Sequence, residues 1–312
     1  MQMNWLGSDT TRTAGMAEAP PRQPLVALEH LPRLPDLRLA VVGHVEMVTF
    51  LRVPSLPHAG SITRASQGMD LPAGGGAVVA VQMARLTGRS VAFFTALGRD
   101  HAGQKAARDL EALGLELHVA WREAPTRRAV SWVDGQGERT ITVLGDRLMP
   151  CGDDPLPWSD LREYAGVFVT ATDAQGLRLS RRSPVVAATP RVRWPVLLES
   201  EVVLDALVGS ALDPAEAPPP KGPAPPAERV IATEAGAGST ATPGGMFQAP
   251  LLRGIPVDAY GAGDSFAAGF CSALAADWPL PEAISLGSHC GAACLLGFGP
   301  YASQLHREEL VR

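Results

Sequence analysis

The chain reads as an α/β fold, with a mostly parallel central sheet, helices on both faces and a small β-sheet lid. Three observations predict it. Short apolar runs such as Leu39-Ala40-Val41-Val42 and Val167-Phe168-Val169 lack polar alternation, as strands buried on both faces do. These runs alternate with helix-compatible stretches, the pattern of strand–helix–strand crossovers. Finally, Arg128–Val133 and Arg139–Leu144 do alternate in polarity about Asp134-Gly135-Gln136-Gly137-Glu138, a hairpin with one exposed face standing off the main sheet.

Taken in order, residues 1–36 are rich in Pro, Thr, Ala and Arg without periodicity and read as a disordered N-terminal extension. The folded domain then spans 37–312, with lid segments at about 51–72 and 120–145. Leu37–Gly43 is a first buried strand, followed by His44–Phe50. Arg52–Pro72 holds Pro54, Pro57, Gly60 and Gly68 around short mixed runs, within the first lid segment. Gly74-Gly75-Gly76 opens a helix that Gly88 stops. A strand over Ser90–Leu97, a loop over Gly98–Gly103 and a helix over Gln104–Leu113 come next. After the hairpin the spacing predicts strands at Val167–Ala171, Val185–Thr189, Ala206–Val208 and Val230–Thr233, with helices at Ala174–Arg181 and Glu199–Leu204. Pro214–Pro226 is a proline-dense loop, and a last helix covers Leu280–Leu296.

A chain of 312 residues, 46% hydrophobic, suffices for one large α/β domain. Its net charge of −5 argues against a nucleic-acid partner. Lysine stands only at Lys105 and Lys221, so no Gly-Lys-Ser/Thr phosphate loop exists, and any phosphate must be held by backbone amides, arginine and a divalent metal. Cys151, Cys271, Cys290 and Cys294 form no Cys-x-x-Cys pair and read as small buried thiols of a reduced cytosol. No apolar run approaches the roughly 18 residues of a membrane helix, and the N-terminus does not read as a signal peptide. A cytoplasmic protein without a membrane partner is expected.

The chemistry concentrates in Asp258-Ala259-Tyr260-Gly261-Ala262-Gly263-Asp264-Ser265-Phe266. A glycine turn opening a helix leaves backbone N–H groups without internal partners, and these, with the helix dipole, favour an anion. A carboxylate beside such a hole is what phosphoryl transfer to a hydroxyl needs: the hole holds the developing charge and the acid takes the alcohol proton. An Asp N-cap behind an ordinary turn would look the same locally.

This nine-residue stretch resembles the C-terminal signature Asp-Thr-x-Gly-Ala-Gly-Asp-x-Phe of the ribokinase-like, PfkB-type carbohydrate kinases, and the order of elements from Leu37 to Leu305 is similar to theirs. The resemblance implies a ribokinase-like fold and an ATP-dependent kinase that transfers the γ-phosphate to a hydroxyl of a sugar or sugar-like molecule. It implies that Asp264 is the base and that Gly261, Ala262 and Gly263 form the anion hole. Thr233, Gly236 and Gly238 look like the family's nucleotide loop with altered spacing, and His289 lies where members wall the adenine. Asp258 matches an acid that helps several members bind a monovalent cation such as K+; a turn acid capping local amides is the alternative. Glu216, in Asp213-Pro214-Ala215-Glu216, is the nearest counterpart of an acid serving Mg2+, or a solvated loop acid.

On the acceptor side Gly74, Gly75 and Gly76 lie where the family lines the sugar. The family's Asn falls on Val78 and its usual Asp on Val48, leaving Glu46 as the nearest acid for a substrate hydroxyl. Arg128 of the lid is a candidate for a phosphate or acidic group. The altered acceptor side also admits a kinase of a nucleoside or vitamin-like alcohol, or a non-catalytic sugar- or nucleotide-binding member. Family members often pair through their lids, so a homodimer of that kind is expected.

Overall fold

The computed structural model describes residues 21–219, 223 and 227–310. In chain order the strands and helices are β1 (Leu39–Val42), β2 (Glu46–Arg52), β3 (Gln67–Ala73), α1 (Gly75–Thr87), β4 (Val91–Gly98), α2 (His101–Ala112), β5 (Leu115–Arg122), β6 (Arg128–Val133), β7 (Arg139–Leu144), β8 (Gly166–Val169), α3 (Ala174–Ser180), β9 (Val185–Ala188), α4 (Trp194–Ser200), β10 (Ala206–Ser210), β11 (Val230–Thr233), β12 (Ser239–Thr242), β13 (Gly245–Phe247), α5 (Ala262–Ala275) and α6 (Leu280–Cys294). A nine-stranded sheet runs β13-β12-β11-β10-β9-β8-β1-β4-β5, parallel from β5 to β11, with β12 and β13 added antiparallel at one edge.

The unalternating apolar runs are buried on both faces, as read. In β1, Leu39 and Val41 join the core under α1, α5 and α6, while Ala40 and Val42 join a second core with Phe94, Leu161, Leu177 and Leu197. The two cores lie on opposite faces because successive strand residues point oppositely. Gly88 ends α1 at φ 65°, the left-handed stop expected there.

The lid is a four-stranded sheet, β3-β2-β6-β7. It is mixed: β2 pairs with β6 in parallel and the outer pairs are antiparallel. Its register places Glu46, Val48, Phe50, Arg127, Ala129 and Ser131 toward one face and Met47, Thr49 and Arg128 toward the other. The hairpin tip touches the chain before the glycine turn, where the Ala259 N–H donates to the Gly137 carbonyl at 3.2 Å.

Two expectations are corrected. The N-terminal extension does not run structureless to residue 36: Leu28, Leu31 and Leu34 are buried, the Val26 N–H donates to Ser285 Oγ at 2.9 Å, and Gln23 bridges to Phe247. Three leucines in an otherwise polar, proline-rich stretch suffice to seat it on α6, although they show no helical or strand period; residues 1–20 lie outside the described ones. Part of the lid expected from about 51–72 is the strand β3, where pairing with β2 supplies the order that Gly68 and Pro72 lack locally. The helix expected at Glu199–Leu204 lies earlier, as α4, because Pro195 suits a first turn and Glu201 at φ 55° ends it.

Candidate active site

Helix α5 begins at Ala262, with Gly261 as its N-cap at φ 82° and ψ 0° and no side chain capping its amides. The first intrahelical bond is from the Ser265 N–H to the Gly261 carbonyl, 2.8 Å, so the amides of Ala262, Gly263 and Asp264 precede the ladder and have no partner in it. A side chain at Gly261 would both strain this φ and sit 3.0 Å from Pro300 and Val78. Gly263 faces open space.

Asp264 is half-buried at this helix start, and its carboxylate accepts no hydrogen bond from a described residue. Its pKa is pushed up to about 6, chiefly because burial disfavours the charged form and also because Glu216 and Glu46 repel it; the guanidinium groups of Arg191 and Arg139 oppose the shift. Gly75 packs directly against it: a Cβ there would stand 2.9 Å from Asp264 Oδ1. The glycine run at 74–76 thus brings the start of α1 to the start of α5, and a larger residue would fill the gap before the carboxylate.

The floor beside them is polar and largely buried. Tyr260 Oη donates to Glu46 Oε1 at 3.2 Å and accepts from the Gly74 N–H at 3.1 Å. Glu46 Oε2 lies 3.4 Å from Arg127 Nε. His44 is buried, its Nδ1 has no hydrogen-bond partner among the described residues, and its pKa is lowered to about 3 by burial and then by Arg147, Arg127 and Arg191. At neutral pH it is therefore uncharged.

Other expected residues are placed differently. Val78 and Val48 are fully buried, and Val78 packs near Gly261, so neither faces the cleft. Arg128 lies exposed on the outer lid face; its neighbour Arg127 is the arginine that turns inward to Glu46, since one residue along a strand reverses the side chain. Thr233 Oγ1 donates to the Gly209 carbonyl at 3.3 Å, and Gly236 and Gly238 flank a tight turn, Gly238 at φ 108°, beside the end of β11. His289 hydrogen-bonds through Nε2 to the Val26 carbonyl at 2.9 Å, so the N-terminal segment uses that nitrogen. The histidine also borders a recess of about 350 Å³ with Pro250, Leu251, Ala292, Ala293 and Leu296.

The two expected metal acids are both engaged. Asp258 is buried and accepts from the Tyr260 N–H at 2.8 Å and the Gly299 N–H at 2.9 Å; burial still holds its pKa above the usual carboxylate range. Glu216 is buried, accepting from the Ser210 N–H at 2.8 Å and from Arg191 Nε at 2.5 Å. No group of three or more His, Cys, Asp or Glu among the described residues is arranged to hold a metal. Asp258 and Glu216 are each already engaged by the protein's own donors.

Arginine supplies what sequence reasoning missed. Arg191 reaches Glu216 and Asp213, and three carboxylates, Glu216, Asp213 and Asp264, raise its pKa against the lowering effect of burial. Arg147 follows the lid, and Arg193 is the N-cap of α4 at φ 87°. The Arg-Val-Arg at 191–193, between a strand end and a proline-started helix, was the only available signal.

A family model described as pfkB family carbohydrate kinase matches residues 36–166 and 204–307. The chain belongs to this family. An ATP-dependent ribose-1-phosphate kinase of Halopiger xanaduensis is 28% identical over 288 residues, covering 82% of this chain and 91% of that protein. Among solved structures, the ribokinase of Giardia lamblia superposes with a TM-score of 0.73 at 16% identity, covering 88% of this chain and 98% of its own. Arabidopsis thaliana ribokinase, solved with ribose and ATP, gives a TM-score of 0.69 at 20% identity over 88% and 97% of the two chains. At such identities these structures establish the ribokinase-like fold. The protein is a phosphotransferase of the carbohydrate kinase class, acting on an alcohol group.

Proposed function

We propose that Asp264 is the general base of an ATP-dependent transfer to a hydroxyl of a sugar or sugar-like acceptor. The observation that carries this is a half-buried carboxylate without a hydrogen-bond donor, one turn from unpartnered amides and opposite the glycine face at 74–76. Asp264 accepts the acceptor proton as the hydroxyl oxygen attacks the γ-phosphorus and the bond to ADP breaks. The amides at Gly261–Asp264 hold the transferring group, and Arg191, beside Asp264, adds positive charge. Magnesium, when bound to the ATP phosphates, neutralises part of their charge. Thr233, Gly236 and Gly238 belong to the nucleotide side, with the recess beside His289 supporting a place for the base. Glu46 and the amides of Gly74–Gly76 face the acceptor. The relative's name, ribose-1-phosphate kinase, supports a pentose derivative as the acceptor. Pairing of two copies through their lids belongs to the same proposal, supported by Ile141, Val143 and Leu144 exposed on edge strand β7. So does a reducing compartment, supported by the four free thiols.

The deciding experiment is ADP release by Asp264→Asn against wild type across a panel of sugars and sugar phosphates. Loss of the base should lower kcat by on the order of 10³-fold; wild-type turnover by the variant would sink the mechanism. One observation favours the second reading, a binding protein without turnover: Glu216, the acid expected near Mg2+, is tied to Arg191. Nucleotide binding by wild type with no ADP formed from any acceptor would select it.

A further inference from the structure

The seam between the main sheet and the lid carries a histidine that the fold leaves unpaired. Between the end of β1 and the start of β2 the chain runs Gly43-His44-Val45, and the Gly43 N–H still donates to the Phe94 carbonyl at 2.9 Å. His44 and Glu46 lie side by side against the glycine run. A Cβ on Gly74 would stand 3.1 Å from His44 Nε2 and 3.3 Å from Glu46 Cγ. A Cβ on Gly75 would stand 2.9 Å from Asp264 Oδ1 and 3.7 Å from His44 Cε1. The imidazole and the Asp264 carboxylate therefore border one gap, which Gly75 keeps open.

The ring is only 7% exposed, yet neither nitrogen has a hydrogen-bond partner among the described residues, and Nδ1 is sealed from solvent. Leaving a buried polar group unmatched is costly, and an apolar side chain of similar size would pack without that cost. The other polar groups of the floor are matched, since the Gly74 N–H, Tyr260 Oη and Glu46 Oε1 form one chain of hydrogen bonds. Burial and the positive charges of Arg147, Arg127 and Arg191 keep the ring uncharged. A neutral imidazole has one N–H and one lone pair. A hydroxyl complements either nitrogen, because it both donates and accepts, whereas a carboxylate only accepts. A charged ring at this place would also lower the basicity of Asp264; the neutral ring leaves the carboxylate free to take a proton. Val48 and Val78, where the resemblance puts polar contacts to a sugar, are sealed in the core and offer none.

We propose that His44 is an acceptor-binding residue, its imidazole bonding a hydroxyl of the acceptor beside the one that Asp264 deprotonates. This rests on the kinase reading above and deepens it: His44 selects acceptors that carry a second hydroxyl and fixes which of the two meets the base.

The test measures ADP release by wild type, His44→Leu and His44→Gln with ribose, ribose 1-phosphate and adenosine, each beside its analogues lacking one ring hydroxyl. With the acceptor that wild type uses best, His44→Leu should raise KM about 10-fold or more and leave the KM for ATP unchanged. Glutamine, which keeps a donor and an acceptor, should recover part of the loss. One deoxy analogue should lose a similar factor with wild type and nothing further with His44→Leu, the non-additivity of two changes to one contact. The ligand-free leucine variant should melt no lower than wild type, because it removes an unmatched polar group. Should it fail to fold, His44→Gln carries the same comparison. An unchanged acceptor KM would overturn the proposal, and a lower melting temperature beside it would make His44 a packing residue; the kinase reading would stand in either case. Additive losses on every deoxy analogue would likewise overturn the direct contact. If no acceptor is turned over, the kinase reading fails, and nitrogen-15 NMR of His44 during titration with the same molecules decides the contact. A shift of its Nε2 resonance with one of them and not with its deoxy analogue supports the proposal, and an unmoved resonance overturns it.

Discussion

As the proposed base, Asp264 would set the pH behaviour of the site. Its folded-state pKa, raised to about 6 mainly by burial, lies above the ordinary carboxylate value. The base must be ionised to act, so kcat/KM should climb with pH and level off above about 6; a profile flat from pH 5 to 8 would contradict its role. The stability effect has the opposite sense. The folded chain holds this proton more tightly than the unfolded one, so the group's contribution to stability is full below the unfolded value and is lost as pH rises through about 6. Tyr260 is the second residue on which the floor depends, since one hydroxyl serves both the Gly74 amide and Glu46. Tyr260→Phe leaves a buried amide without its acceptor and frees Glu46. Chemical denaturation should show a loss of about 1–3 kcal/mol, with KM for the acceptor raised more than KM for ATP. Asp264, the proposed base, and its glycine turn were legible in the sequence because they are contiguous. Arg128 was singled out over Arg127 because only strand register decides which of two adjacent arginines turns inward.

Among the elements, the pair α5 and α6 holds the amides in place. They approach closely because glycines stand at their contacts: a Cβ on Gly269 would lie 2.8 Å from Cys290 Sγ, and one on Gly287 2.9 Å from the Phe266 carbonyl oxygen. Gly287→Leu should force the helices apart. Overpacking of this kind costs typically 1–3 kcal/mol, so the melting temperature should fall, and kcat with it, because α5 carries the amides of the proposed anion hole. Unchanged melting and kcat would show that α6 does not position α5. Helix α6 was readable from its small apolar run, and the first lid segment was expected at about 51–72, but the bounds of its strand β3 were not readable: Gly68 and Pro72 are poor strand formers, and only pairing with β2 orders them. Helix α4 was displaced in the reading because its start depends on Arg193 at φ 87°, a conformation no sequence pattern announces.

For the whole molecule, the segment before β1 is a structural part of the domain. Leu28, Leu31 and Leu34 are each no more than 6% exposed, and His289 and Ser285 of α6 bond to Val26. Burying a leucine contributes about 1.5–3 kcal/mol, as an upper estimate. Removal of residues 1–36 should therefore lower the melting temperature by on the order of 10 °C, measurable by calorimetry, and should expose the face of α6 beside the His289 recess. Retained melting would mean that the segment packs without stabilising.

What the sequence determined by itself was local and periodic: buried runs for a parallel sheet, an alternating hairpin for a lid, and a glycine turn into a helix beside an acid. Each is written within about ten residues, where strand and helix periods operate. The tertiary structure alone decided what lies opposite that acid. Glu46, Arg139, Arg191 and Glu216, whose charges act on Asp264, come from β2, β7 and the loops after β9 and β10, and are gathered only by the strand order of the two sheets. Charges gathered from distant loops leave no period in the sequence, since their meeting is set by strand order and not by spacing.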